Sequence, residues 1–162
     1  MNLLFLNPDG SFILNFIFAF LATGVFALFF NANKYDVLWG ALLGGIGWTI
    51  YKWVLETGGS SLQAYFLGSF FVALLSEILA IIIKNPATVF LIPGILPIVP
   101  GGGMFFTMRA FVSGSVDLAF ELGYATLGAA GSIALGIAIV SVIARIYTKI
   151  RYTFFQKQKG SQ

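Results

Sequence analysis

The sequence predicts an all-α integral membrane protein of about five transmembrane helices, the fourth of them broken by Pro and Gly. Three observations predict it. Hydrophobic residues make up 59% of the 162 and charged residues only 9%, where a soluble domain carries about 25% charged residues and a chain this short has much surface to cover. Apolar stretches long enough to cross a bilayer alternate with short polar clusters. Four of the five prolines fall between Pro86 and Pro100, inside an otherwise apolar segment.

Each element follows in order. The first span covers about 11–30 and ends at the polar cluster from Asn31 to Asp36. The second covers about 37–55 and stops at Glu56 and the glycines after it. Trp39 and Trp53 sit near its two ends, where interfacial aromatics anchor a helix. The third covers about 61–83 and stops at Lys84-Asn85-Pro86. The fourth segment, 86–113, cannot be one continuous helix, because interior prolines remove backbone bonds and clash with the preceding turn. It reads as a half-helix capped by Asn85 with Pro86 in its first turn, an open centre from about Pro93 to Gly102, and a second half-helix from Gly103 to Val112. The last span covers about 117–148. Residues 1–155 thus form a single transmembrane domain, and 156–162 a polar cytoplasmic tail.

The inventory excludes whole classes of chemistry. With no Cys and no His there are no disulfides, thiolate nucleophiles, His-ligated metals or Ser-His-Asp triads. No metal, cofactor or enzymatic role is expected; Asp117 and Glu121, the only close carboxylate pair, suit a helix N-terminus. The net charge of +3 does not indicate nucleic acid, since five of the nine Lys/Arg lie from Arg145 onward. Nor is a cleavable signal peptide expected, because no basic stretch precedes the first span. Five crossings with the C-terminus in the cytoplasm put seven cations inside and leave two, Lys52 and Arg109, outside; four crossings give six against three. The positive-inside rule therefore favours five spans, N-terminus out and C-terminus in, across the cell membrane.

Lipid gives helices no hydrophobic reason to associate, so small residues mark contact faces. The second span carries Gly40, Gly44 and Gly47. The last carries Gly128, Ser132 and Gly136 at four-residue spacing. On the third, Ser69, Ala73, Ser76, Glu77 and Ala80 share a stripe opposite bulky Phe70, Leu74, Ile78 and Ile81. Glu77 on that stripe is a candidate proton-coupling carboxylate or ammonium binder; the bland alternative is a quiet pair with Lys84. Asn15 in the first span is a weaker polar candidate of the same kind.

Open backbone at membrane depth is tolerated only where protein or water covers it, and transporters bind substrate at such breaks. The first half-helix would end near Pro93-Gly94 with free carbonyls, which suit an ammonium. The second would begin at Gly101-Gly102-Gly103 with free N–H groups, which suit a carboxylate. Pro97 and Pro100 hold the centre open, while Thr107 and Arg109 add polar contacts further along. A zwitterionic amino acid presents both charges at once. Kinks and hinges without any ligand are the alternative reading of the same residues.

The run from Val89 to Met108, with Ile-Pro-Gly-Ile-Leu-Pro-Ile-Val-Pro-Gly-Gly-Gly at its centre, resembles the signature of the threonine/serine exporter family. Phe29-Phe-Asn-Ala-Asn33 followed by Trp39-Gly-Ala-Leu-Leu-Gly-Gly-Ile-Gly-Trp48 resembles that family's second recurring segment. The similarity runs in order from about Phe16 to Ile143 and is to the family's shorter, C-terminal half. It implies the small subunit of a two-chain exporter of threonine and serine, or of small dicarboxylates, driven by the proton gradient and working with a larger multi-span partner. Family members vary at Gly102 and Gly103. An odd span count also fits one half of an inverted-repeat transporter. The readings from other classes are a homo-oligomeric channel and a non-transporting assembly subunit.

Overall fold

The computed structural model describes residues 12–30 and 33–159, with side chains described only as far as Lys149. Among the described residues there are six α-helices and no strand. They are α1 (Phe12–Phe29), α2 (Lys34–Glu56), α3 (Ser61–Ile83), α4 (Thr88–Ile95), α5 (Gly101–Val112) and α6 (Val116–Lys159), with a 3-10 turn at Leu96–Ile98 between α4 and α5.

The helix ends have local causes. A capping box starts α3: Ser60 accepts from the Gln63 backbone N–H, and the Gln63 side chain accepts from the Ser60 N–H. Lys84 ends α3 in the left-handed region at φ 62°. Gly114, at φ 77°, turns the chain from α5 into α6, a conformation that costs glycine nothing.

α2 is the hub. It packs on α1, α3 and α4, and glycines let all three approach. Gly44 lies against Thr23 of α1, and Gly45 against Phe16. Gly47 meets Val72 of α3 and Ile98. Gly40 lies 3.1 Å, measured from the position a Cβ would take, from Pro93 of α4. The core where the elements converge is Leu43, Val72, Phe90, Ile98 and Ile133.

These contacts fix directions. α1 and α3 run antiparallel to α2, whereas α4 runs parallel to it, with residues 36, 40 and 47 of α2 beside 85, 93 and 98. α6 runs parallel to α3: Gly128 meets Leu62, and Gly136 meets Ser69. So α6 enters the bundle at the end where α3 begins. α4 and α5 together have carried the chain from one end of the bundle to the other.

α1, α3 and Val116–Tyr147 of α6 are long and apolar enough to cross a membrane. α4 and α5 make a fourth candidate, bent by 52° at the break. α2 matches α3 in length but is less apolar, because it carries Lys34, Asp36, Lys52 and Glu56 where α3 carries only Glu77. Many large apolar side chains on the other helices are exposed, including Ile13, Phe18, Ile82 and Leu135, as expected of a surface that faces lipid.

The structure corrects several sequence-based expectations. Asn85 does not cap α4; Ala87 is the N-cap residue, with no side-chain bond, and Asn85 turns to Asp36 instead. Pro93 lies inside α4 and does not end it. The break is therefore shorter, running from Leu96 to Pro100, and α5 starts at Gly101 rather than Gly103. The second span begins at Lys34, earlier than expected. α6 continues to Lys159, so the expected tail 156–162 begins inside a helix, and 160–162 lie outside the described residues. The expected first-span start at residue 11, the N-terminal segment before it, and Asn31 also lie outside them.

Candidate functional site

A polar cleft opens where α1 ends, α2 and α4 begin, and the α3–α4 connection passes. Its volume is about 860 Å3, within the range of about 300–1,000 Å3 typical of small-molecule sites. Its polar lining residues are Asn33, Lys34, Asp36, Asn85 and Thr88. The apolar ones include Phe30, Val89, Ile92 and Pro93, the last of these furthest along α4. Lys34 is the one cation and Asp36 the one anion among the described lining residues.

Asp36 is the unusual group. It stands in the first turn of α2, where a negative charge is favourable, yet it is only 6% exposed. Its two carboxylate oxygens accept from Asn85 Nδ2 at 2.9 and 3.1 Å. No cation pairs with it among the described residues. The left-handed turn at Lys84 redirects the chain at the end of α3, and Asn85 follows directly. The Lys34 ammonium lies 5.5 Å from the centre of the Tyr35 ring. The sequence places Asp36 in a polar span end and Asn85 as a helix cap, and assigns neither to a site. An isolated acid near the start of a helix reads as ordinary capping, and their meeting across 49 positions carries no local signal.

The family comparison decides what kind of protein holds this cleft. The model of the family described as Threonine/Serine exporter, ThrE, matches residues 15–143. The chain belongs to that family. No curated protein and no solved structure matches it. A threonine/serine exporter-family membrane protein is thus the frame in which the remaining residues are placed.

In this exporter-family chain the expected site residues do not converge. Pro93 lines the cleft from inside α4. Gly94 is buried, with Leu43 and Val72 each 3.1 Å from where its Cβ would be, and is closed to any ligand. Pro97 and Pro100 are half-buried at the break. Gly101 and Gly102 are exposed, with open space at Gly101. The Gly101 N–H already donates to the Val99 carbonyl at 2.7 Å, which removes it from the expected anion site. Gly103 faces Thr126 of α6. Thr107 also faces α6, beside Gly123, and its hydroxyl donates to the Gly103 carbonyl. Arg109 is exposed on α5, eight residues or about 12 Å of helix beyond Gly101.

Glu77 is half-buried and bonds to no described residue; the expected alternative pair with Lys84 is not formed. Its neighbours on the stripe, Ser69 and Ser76, are fully buried and satisfied by carbonyls of their own helix. Gly40, Gly44, Gly128 and Gly136 all pack within the chain. The Ser132 hydroxyl donates to the Gly128 carbonyl. Asp117 and Glu121 are exposed at the start of α6. No group of three or more acidic side chains is placed to hold a metal among the described residues.

Proposed function

We propose that this chain is the small subunit of a secondary exporter of threonine and serine, and not an enzyme. The observation that carries the reading is the polar cleft that ends on Pro93 of the broken segment. Transporter sites are built where a helix is interrupted, and here the cleft reaches Pro93, about one helical turn before the break at Leu96–Pro100. The helix directions support five crossings. They put Lys34, Lys84, Arg145 and Lys149 toward one end of the bundle and Lys52 and Arg109 toward the other. By the positive-inside rule the first end is cytoplasmic, with the N-terminus outside. The cleft then faces the cytoplasm, where an exporter in the cell membrane must load.

The reading includes a larger multi-span partner. α5 packs on α6 alone among the described elements, and Met104, Phe105, Met108 and Tyr124 of this hairpin are exposed. The reading also includes proton coupling through Glu77, which lies about two turns from the end of α3 and bonds to no described residue.

The test is threonine efflux from preloaded cells that make this chain with its partner. Wild-type efflux should exceed that of cells lacking either chain. Val89→Trp, which fills the cleft, should reduce efflux at least about tenfold without loss of membrane insertion. Glu77→Gln should remove the dependence on the proton gradient. Full efflux from the chain alone, independent of protons, would instead identify a channel. Efflux unaltered by Val89→Trp would remove the cleft from the path.

A further inference from the structure

We propose that Asp36 selects the substrate by its α-ammonium group, so that the cleft takes zwitterionic amino acids and rejects dicarboxylates. This rests on the exporter reading and decides between the two substrate classes that the family resemblance implies.

The argument starts from the cost of the group. A carboxylate removed from water is expensive unless it is paired and hydrogen-bonded. Asp36 is 94% removed from solvent, and its described partner is neutral: the amide of Asn85. One amide supplies two N–H donors, whereas a carboxylate has about four acceptor sites. Half of the acceptor capacity is left over, on a side chain that lines the cleft. An ammonium group brings three donors and the missing positive charge. It would meet both deficits.

The rest of the polar lining fits the same ligand. Lys34, two residues earlier, is the one cation described around the cleft. It is available for the α-carboxylate. Asn33 and Thr88 are neutral polar groups in reach of the same space and suit a side-chain hydroxyl. A dicarboxylate would place two negative charges in a cleft that holds a buried carboxylate and a single cation. Like-charge juxtaposition of this kind is how sites reject wrong partners. Asn85 has a distinct role. It holds part of the Asp36 acceptor capacity and ties the α3–α4 connection to the start of α2.

The test uses uptake of radiolabelled L-threonine into inside-out membrane vesicles from cells that make the full-length chain and its partner. Threoninol keeps the ammonium and lacks the carboxylate. N-acetyl-L-threonine keeps the carboxylate and lacks the ammonium. Succinate is the dicarboxylate probe. Threoninol should compete with threonine, while N-acetyl-L-threonine and succinate should not. Asp36→Asn should weaken threonine and threoninol together by about tenfold or more, as expected for a charge-assisted hydrogen bond. Asp36→Glu should restore much of the loss. Lys34→Gln should weaken threonine and leave threoninol unchanged. Equal competition by succinate overturns the inference, and so does unchanged threonine affinity in a folded, inserted Asp36→Asn protein. If that variant keeps its affinity but loses proton dependence, Asp36 belongs to proton transfer instead. Each of these leaves the exporter reading standing. No threonine uptake by the wild type overturns both.

Discussion

Thr23 and Gly44 show how one contact sets the spacing of two helices. Thr23 is fully buried between α1 and α2, and its hydroxyl has no hydrogen-bond partner among the described residues. A buried, unpaired hydroxyl costs about 1–3 kcal/mol. Valine has the same shape without that cost. Thr23→Val is therefore expected to leave stability unchanged or to raise it by about 1 kcal/mol, read from unfolding in detergent. Gly44→Ala should do the opposite. Its new methyl would overlap the Thr23 hydroxyl and stand 2.8 Å from Thr23 Cβ and Cγ2. Neither neighbour can swing away in a packed helix face, and overpacking of this kind costs about 1–3 kcal/mol. Equal behaviour of the two variants would mean that α1 is not held to α2 here.

At the scale of elements, the α3–α6 pair turns on Gly136 more than on Gly128. A methyl at Gly136 would lie 2.9 Å from the Phe66 carbonyl and 3.1 Å from the Phe70 nitrogen, and would also meet Ser69 Oγ. Backbone atoms of α3 cannot give way, so the helices must separate. A methyl at Gly128 meets only the tip of the Leu62 side chain, at 3.1 Å, and that tip can rotate. Gly136→Ala should destabilise by about 1–3 kcal/mol and Gly128→Ala by less than about 1 kcal/mol, measured as the change in unfolding midpoint in detergent. Sequence alone ranked the two alike, because spacing shows a small-residue stripe but not what stands across from each member. The same limit applies to the break. The cluster of prolines located it, since a missing N–H is a property of the residue itself. Its extent was overestimated, because Pro93 is held inside α4 by packing against Gly40 of α2, a tertiary contact. α3 was legible to the residue because its capping box and its end at Lys84 are local. The Asp36–Asn85 pair was not legible at all, because it joins two polar clusters that each look like ordinary span ends.

For the whole molecule, the number of crossings follows from helix direction more firmly than from hydropathy. Hydropathy supports three spans, or four with the bent pair, and passes over α2. Yet α2 lies between α1 and α3 and antiparallel to both, so any slab that they cross contains it. The parallel run of α3 and α6 then supports a crossing by the fourth segment. A re-entrant α4–α5 would return the chain to its starting side and make α6 antiparallel to α3. Gly128 beside Leu62 and Gly136 beside Ser69 require the reverse. The chain contains no Cys, so single-cysteine labelling with a membrane-impermeant maleimide has no background to subtract. Ser60→Cys and Ser115→Cys should react on intact cells, because both connections belong to the outer end in the five-crossing arrangement. Asn33→Cys and Lys84→Cys should react only after the membrane is opened. Labelling of Ser115→Cys from the same side as Lys84→Cys would mean that α4 and α5 dip and return. The cleft would then keep its place beside Pro93, but α6 and its basic end would lie on the opposite side from Lys34, and the charge argument for a cytoplasm-facing cleft would fail with it.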